Sequence, residues 1–480
     1  MKTTRVQTPT SCVRFGAGRR DITPPVGIYA RIWGAAREDR ATGVHCPLLA
    51  EALIFESVDA SQRAVRIQLD CVGLADPHHD RMIHAAAKAA DVDDSQVSVT
   101  YSHTHSSGAI FANRISFPGG DLIPAYWDTI EQGIREATAE GIAALEPATI
   151  SYSRAACDMA RNRDTLDEQY DGYVCGFNPD DESQRDVTVA RVTSATGGIR
   201  HSIVHYGCHP TTLAWKNTLL SPDFVGALRE TVEQVTGAPC TYFQAPSADL
   251  APRHGYVGDA AVADSNGRQV AYAALSALES LGPAQHDFVY QGPVVSGATL
   301  ADWAYEPFAP ERRSAVECFA TSMFDVDLVV RDLPAPAALK EQVETYEEQS
   351  ESARRAGDDI AARDARALAE RARRWLGLLE DFGSGDTYTC RYRILRLGDA
   401  VFVSVPGEPY SVLQTELQAR FPDTVVMVSP HSSNLQVAYL LPRDRYGLGL
   451  YQEEPSPLAP GCLELLIEDV GQRLEQMLAS

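Results

Sequence analysis

From Phe15 to about residue 285, short β-like runs alternate with stretches of helical periodicity, and this alternation restricts the fold more than any other feature of the chain. It demands helices layered on sheet, not a sandwich of strands alone. Residues 64–69 (AVRIQL) and Val97–Tyr101 (VSVTY) read as strands, and residues 124–144 as a helix. A further helix carries marks at both ends: Ser221 as cap, Pro222 at the first position, Phe224, Leu228, Val232 and Val235 at helical spacing, and Gly237 as terminator. Residues 391–397 and 400–405 flank Gly398-Asp399, a strong signal for a two-residue hairpin turn. The fold class expected is therefore α/β, with layered mixed or antiparallel sheets flanked by helices.

Composition narrows the function. The 480 residues, 44% of them hydrophobic, suffice for a large core. Against 42 Lys and Arg stand 65 Asp and Glu, a net charge of −23, which repels phosphate backbones and anionic headgroups. Neither nucleic acid nor a stable membrane association is expected. No apolar leader core opens the chain and no run of 18 uncharged apolar residues interrupts it, so the expectation is a cytoplasmic protein without Sec export. The ten cysteines are scattered singly with no CxxC, which suits free thiols in a reducing compartment. Cys208 adjoins a histidine but reads as core filler. There is no P-loop and no GxGxxG fingerprint.

Residues 338–382 differ from their surroundings, being rich in Ala, Arg, Glu and Asp, nearly without β-branched residues, and interrupted by Gly357. They read as a helical hairpin inserted in the domain, solvated on its polar faces and with Trp375, Leu376, Leu378 and Leu379 to bury. A lid or dimerisation arm is the alternative.

Three segments place chemistry-bearing residues at the ends of strands. In Val97-Ser-Val-Thr-Tyr-Ser-His103-Thr-His105, a period of two would carry both imidazoles onto one strand face, where they could meet a divalent ion or divide ligation from proton transfer. A second run, from Ser202 through His205, ends in His209 before Pro210, which keeps His209 out of helical geometry. His205 reads as packed within its strand. In the third, Glu408 follows a Pro406-Gly407 turn directly after a strand. Two histidines, a glutamate and an open position would make a hydrolytic zinc set; each segment alone is equally satisfied by a purely structural role.

Assembled in order, the motifs resemble the neutral, non-lysosomal ceramidase family over nearly the whole chain. The likeness runs through residues 16–25 (GAGRRDITPP), Gly43-Val-His45, the HTHS segment at His103 to Ser106, Asn162-Arg163, His209-Pro-Thr-Thr, Leu220-Ser-Pro-Asp223, residues 244–249 (QAPSAD), Pro406-Gly-Glu408, and Asn434, Tyr439, Tyr446 and Tyr451. The resemblance implies that zinc is held by His103, His209, Glu408 and Tyr439, and that His105, Arg163 and Tyr451 serve the substrate. Tyr439 would otherwise read as a core aromatic and Arg163 as a surface ion pair. Asp223 stays outside the set, as a carboxylate at the start of a helix.

Two departures bear on the substrate. Ala245 stands where the family has a serine, with Ser247 two residues away, and no C-terminal sandwich-like domain of the family's kind is expected. Residues 12–480 are therefore expected to form a single ceramidase-like catalytic domain carrying the 338–382 insertion. The function expected is zinc-dependent hydrolysis of a linear N-acyl amide in a small molecule other than ceramide, by metal-activated water. Ester or lactone hydrolysis, and a non-catalytic metal-stabilised binding protein, are the alternatives. A small-molecule substrate is the expected partner, with homo-oligomerisation left open.

Overall fold

The computed structural model describes residues 4–181, 183–382, 385–432 and 438–479. Its largest element is an eight-stranded sheet. In spatial order the strands are Cys240–Gln244, Ile199–Tyr206, Asp186–Ser194, Glu146–Ala156, Thr10–Asp21, Leu49–Glu56, Arg63–Leu69 and Val97–Tyr101. The interior pairs are antiparallel, but the outermost pair at each edge is parallel. The sheet also curls: Cys240–Gln244 at one edge comes within 8 Å of Arg63–Leu69 and Val97–Tyr101 at the other. A four-stranded sheet, Phe319–Val329, Thr387–Leu397, Ala400–Ser404 and Val425–Ser429, ends in a parallel pair as well.

Alternation along the strands decides the layering. Leu53 and Phe55 face the second sheet, joining Phe15, Ile150, Val192 and Phe243 against Leu395, Leu397, Phe402 and Met427. Ala52 and Ile54 point the other way, into a core completed by Met82, Ile83, Ile130 and Ile134 of the helices Asp76–Ala90 and Ile123–Ala143. The other half of the same sheet is covered by Phe224–Thr236 and Ala260–Glu279, and the outer face of the small sheet by Val412–Arg420 and Cys462–Ala479. The result is helix, sheet, sheet, helix, as the expected fold class required. Gly16 and Gly18 permit close helix-on-sheet contact, since a Cβ at Gly18 would lie 2.1 Å from the Ala137 carbonyl oxygen.

The hairpin at Gly398-Asp399 forms, with Leu397 paired to Ala400 and Gly398 at φ 48°. One helix start differs from expectation. Phe224–Thr236 begins beyond Pro222; Asp223, at φ 57°, is the cap, its carboxylate accepting from the Phe224 N–H and bridging to the Leu213 N–H, while Ser221 Oγ accepts from the Asp223 N–H. Its far end is as anticipated, with Gly237 left-handed at φ 68°. All ten cysteines are free thiols, and Cys208 is buried beside Met159. Among the described residues no helix is long and apolar enough to cross a membrane.

Residues Pro336–Arg355 and Asp359–Phe382 form two helices packed against each other, with Gly357 left-handed at φ 75° between them. Leu339, Ala372 and Trp375 make a small core there, joined by Leu376, Leu378 and Leu379.

Candidate functional site

Parallel strand pairs carry the site. His103 follows Val97–Tyr101, His209 follows Ile199–Tyr206, and the tips of two further strands, Ala400–Ser404 and Val425–Ser429, lead into Glu408 and His431. Each belongs to a parallel pair, so loops of the two sheets converge at carboxyl ends, where open α/β sheets place ligands. Because the large sheet curls, residues from its opposite edges reach one point.

His103 does not continue the strand's alternation. The extended run stops at Tyr101, and His103 adopts φ 63°, so the expected sharing of one strand face by His103 and His105 is replaced by a turn that aims them separately. The two rings still meet edge to face, centroids 4.9 Å apart, with Nε2 atoms 3.4 Å apart. His103, Tyr256 and His431 all hold left-handed backbone in this neighbourhood. Such conformations persist only where their surroundings impose them.

The main chain orients the two principal imidazoles alike. His103 Nδ1 donates to the Val72 carbonyl at 2.7 Å and His209 Nδ1 to the Ser247 carbonyl at 2.7 Å. Their Nε2 atoms both face Glu408 Oε2, at 3.4 and 3.0 Å. A backbone carbonyl on one nitrogen fixes the tautomer and leaves the other a lone pair, the arrangement that metal-ligating histidines require. Burial alone would raise the Glu408 carboxyl, but the His103 and His209 imidazoles hold it well below the usual range. Burial, reinforced by the nearby Arg163 charge, pushes His209 down to about 4. His105 is also driven well below its ordinary value, by burial and then by its two histidine neighbours, and its Nδ1 is buried without a partner among the described residues.

His103, His105 and His209 present ligand-type atoms within 4.8 Å of one another, and so do His103, Glu408 and His431. Nitrogen and carboxylate donors in a buried cluster, two of the histidines braced from behind, match what zinc takes. The residues therefore fit the metal as a set of donors.

Arg163 and Tyr439 stand on the next side. Arg163 is buried; its Nε donates to the Ala248 carbonyl at 2.7 Å and its Nη2 to the Tyr439 hydroxyl at 3.3 Å. No carboxylate pairs with it among the described residues, so its expected alternative as a surface ion pair does not apply. Tyr439 packs 6.4 Å from His209, centroid to centroid, and 5.8 Å from Tyr451, which is 40% exposed. All seven residues read from the sequence thus lie in one connected neighbourhood. His205 instead donates from Nε2 to the Val428 carbonyl, tying the two sheets together. Asn434 lies outside the described residues, and Tyr446 donates to the Leu458 carbonyl at 3.1 Å. Ser247 Oγ accepts from the Gln244 side chain, and its carbonyl braces His209.

Two contributors escape sequence reasoning. His431, buried, stacks on His103 with centroids 4.0 Å apart and planes 13° apart. Its signal was available, since Pro430-His431 follows a strand just as the other donors do. Trp33 packs 5.3 Å from His105 and also meets Trp215 and Tyr256, an aromatic wall without any local sequence mark.

The family model for the N-terminal region of neutral/alkaline non-lysosomal ceramidases matches residues 13–252, which hold His103, His105, Arg163 and His209. The chain belongs to that family. A neutral ceramidase of Pseudomonas aeruginosa is 23% identical over 347 residues, covering 68% of this chain and 51% of the relative. The chain thus spans about half the length of that curated relative. A crystal structure of the neutral ceramidase from Pseudomonas aeruginosa superposes with a TM-score of 0.63 at 18% identity, over 98% of this chain and 75% of the other. A ceramidase complexed with C2 gives 0.65 at 17% identity, over 98% and 76%. At those identities the likeness establishes the ceramidase fold, which extends beyond residue 252 to the strands that carry Glu408 and Tyr439.

Proposed function

We infer that the chain is a zinc-dependent hydrolase of a linear N-acyl amide in a small molecule. The observation that carries this reading is the convergence of His103 Nε2 and His209 Nε2 on Glu408 Oε2, each imidazole braced by a main-chain carbonyl. Those three residues and Tyr439 would hold the metal. Zinc supplies Lewis acidity there, polarising a carbonyl and easing deprotonation of water toward neutral pH.

The chain's own groups do the rest. His105, adjoining His103 and facing Trp33, is placed to carry a proton to the leaving nitrogen. Arg163, whose guanidinium has no anionic partner among the described residues, orients an oxygen of the substrate and steadies the charge that grows on it. Tyr451 forms the open side of the Tyr439 pair and meets the substrate beyond the scissile bond. Ser247 Oγ is held by the Gln244 side chain, only its main-chain carbonyl meets His209, and Ala245 offers no hydroxyl, which favours attack by water over a serine intermediate.

The test is the His209→Ala protein, assayed for metal content by mass spectrometry and for turnover on matched N-acyl and O-acyl substrates. Wild type is expected to hold about one zinc and cleave the N-acyl series, and His209→Ala to lose both metal and activity, by about a thousandfold or more in rate. Full metal content and full rate in the variant would refute the assignment. Exclusive cleavage of O-acyl compounds by wild type would move it to ester or lactone chemistry.

A further inference from the structure

We propose that Arg374, on the inserted helix Asp359–Phe382, reads a negative charge on the substrate beyond the scissile bond. This rests on the hydrolase reading above and names the class of molecule: an acyl amide that carries a carboxylate to one side of the scissile bond.

The inserted helix lies over two rims of the site. At one, it packs so closely on the Trp33 loop that a Cβ on Gly34 would be 2.9 Å from Ala367 Cβ. At the other, seven residues and about 10 Å of helix further on, Arg374 Nη1 donates to the Tyr451 hydroxyl at 3.2 Å. Trp33 packs on His105 and Tyr451 packs on Tyr439, so the helix spans the gap between the two walls flanking the histidine cluster.

The ion pairs along this helix single out one residue. Arg366 pairs with Asp39, Arg371 with Glu454, Arg373 with Glu347 and Glu370, and Glu370 also with Arg114; Trp375 Nε1 donates to Glu454 as well. These contacts pin the helix from both sides and consume the carboxylates within reach. Arg374 has no carboxylate within 4 Å among the described residues, and the partner that holds it is a neutral phenol. Across the Tyr439 and Tyr451 rings stands Arg163, likewise without an anion. Two guanidinium groups therefore flank one tyrosine pair in a chain with a net charge of −23. An arginine presents a planar fork suited to carboxylate, and such a charge discriminates between anionic and neutral ligands.

The experiment uses N-octanoylglycine and N-octanoylglycinamide, which share the acyl group and the scissile bond and differ in the remote charge. Dissociation constants are measured by calorimetry on wild type, Arg374→Gln, Arg374→Lys and Tyr451→Phe, with hydrolysis followed in parallel. Wild type is expected to favour the carboxylate by about tenfold or more. Arg374→Gln should bind both compounds alike, Arg374→Lys should keep part of the preference, and Tyr451→Phe should retain it, which a role limited to positioning Tyr451 would not produce. Lack of a preference in wild type, its survival in Arg374→Gln, or failure of wild type to bind the carboxylate would overturn the proposal. Charge-selective binding without cleavage of either compound would count against the hydrolase reading and leave Arg374 standing; cleavage of both at equal affinity would do the reverse.

Discussion

At the scale of single residues, the site is a problem of burying polar groups without orphaning them. His103 and His209 each spend one nitrogen on a main-chain carbonyl, and Glu408 keeps its charge because imidazoles face it. Asp249 shows the opposite balance. Both its oxygens accept from Ser411, at 2.7 and 2.6 Å, yet burial still pushes the carboxyl up to about 6. A carboxyl raised in the folded state contributes most stability below its unfolded value near 4 and loses it as pH climbs through 6, because only the folded form resists ionisation. Above pH 6 the cost is on the order of 3 kcal/mol. Asp249→Asn, which can still accept from the Ser411 N–H, should therefore gain on wild type as pH rises from about 4 to about 7. Urea midpoints at the two pH values check this; an unchanged difference between the proteins would show that Asp249 does not titrate in that window.

Among secondary-structure elements, local signals were legible wherever a turn or a terminator dictated backbone geometry. Gly398-Asp399 closes its hairpin and Gly237 ends its helix because left-handed backbone there costs glycine little. The start of Phe224–Thr236 was misplaced since its cap is tertiary: Asp223 is locked by Leu213 as well as by its own helix. Likewise the run after Tyr101 looks extended in sequence, but His103 turns because Val72 and Cys71 supply its hydrogen-bond partners. Close packing sets another limit. Ile123–Ala143 lies so near Thr10–Asp21 that Gly18→Ala would drive a methyl into the Ala137 carbonyl. That variant should lose about 1–3 kcal/mol in urea unfolding. Wild-type stability would mean that the helix can shift away from the strand freely.

For the molecule as a whole, the donors come from both sheets, His103 and His209 from the large one and Glu408 from the small one, so metal and fold should be coupled. Treating the zinc-loaded protein with a chelator is expected to lower its melting temperature, and excess zinc to restore it, with about 2.7 kcal/mol at stake when free metal is a hundred times its dissociation constant. Identical melting curves with and without chelator would dissociate the cluster from metal binding. The sequence by itself determined several of the strands and helices, the Gly398-Asp399 turn, the Gly237 terminator, and that histidines and a glutamate follow strands, since periodicity and turn chemistry are local. Only the tertiary structure decided that those ends meet, that His431 and Trp33 join them, and that the helix Asp359–Phe382 brings Arg374 to Tyr451. The physical reason is that a sheet's curl and the facing of two sheets arise from side chains packing across hundreds of residues, which no local pattern encodes.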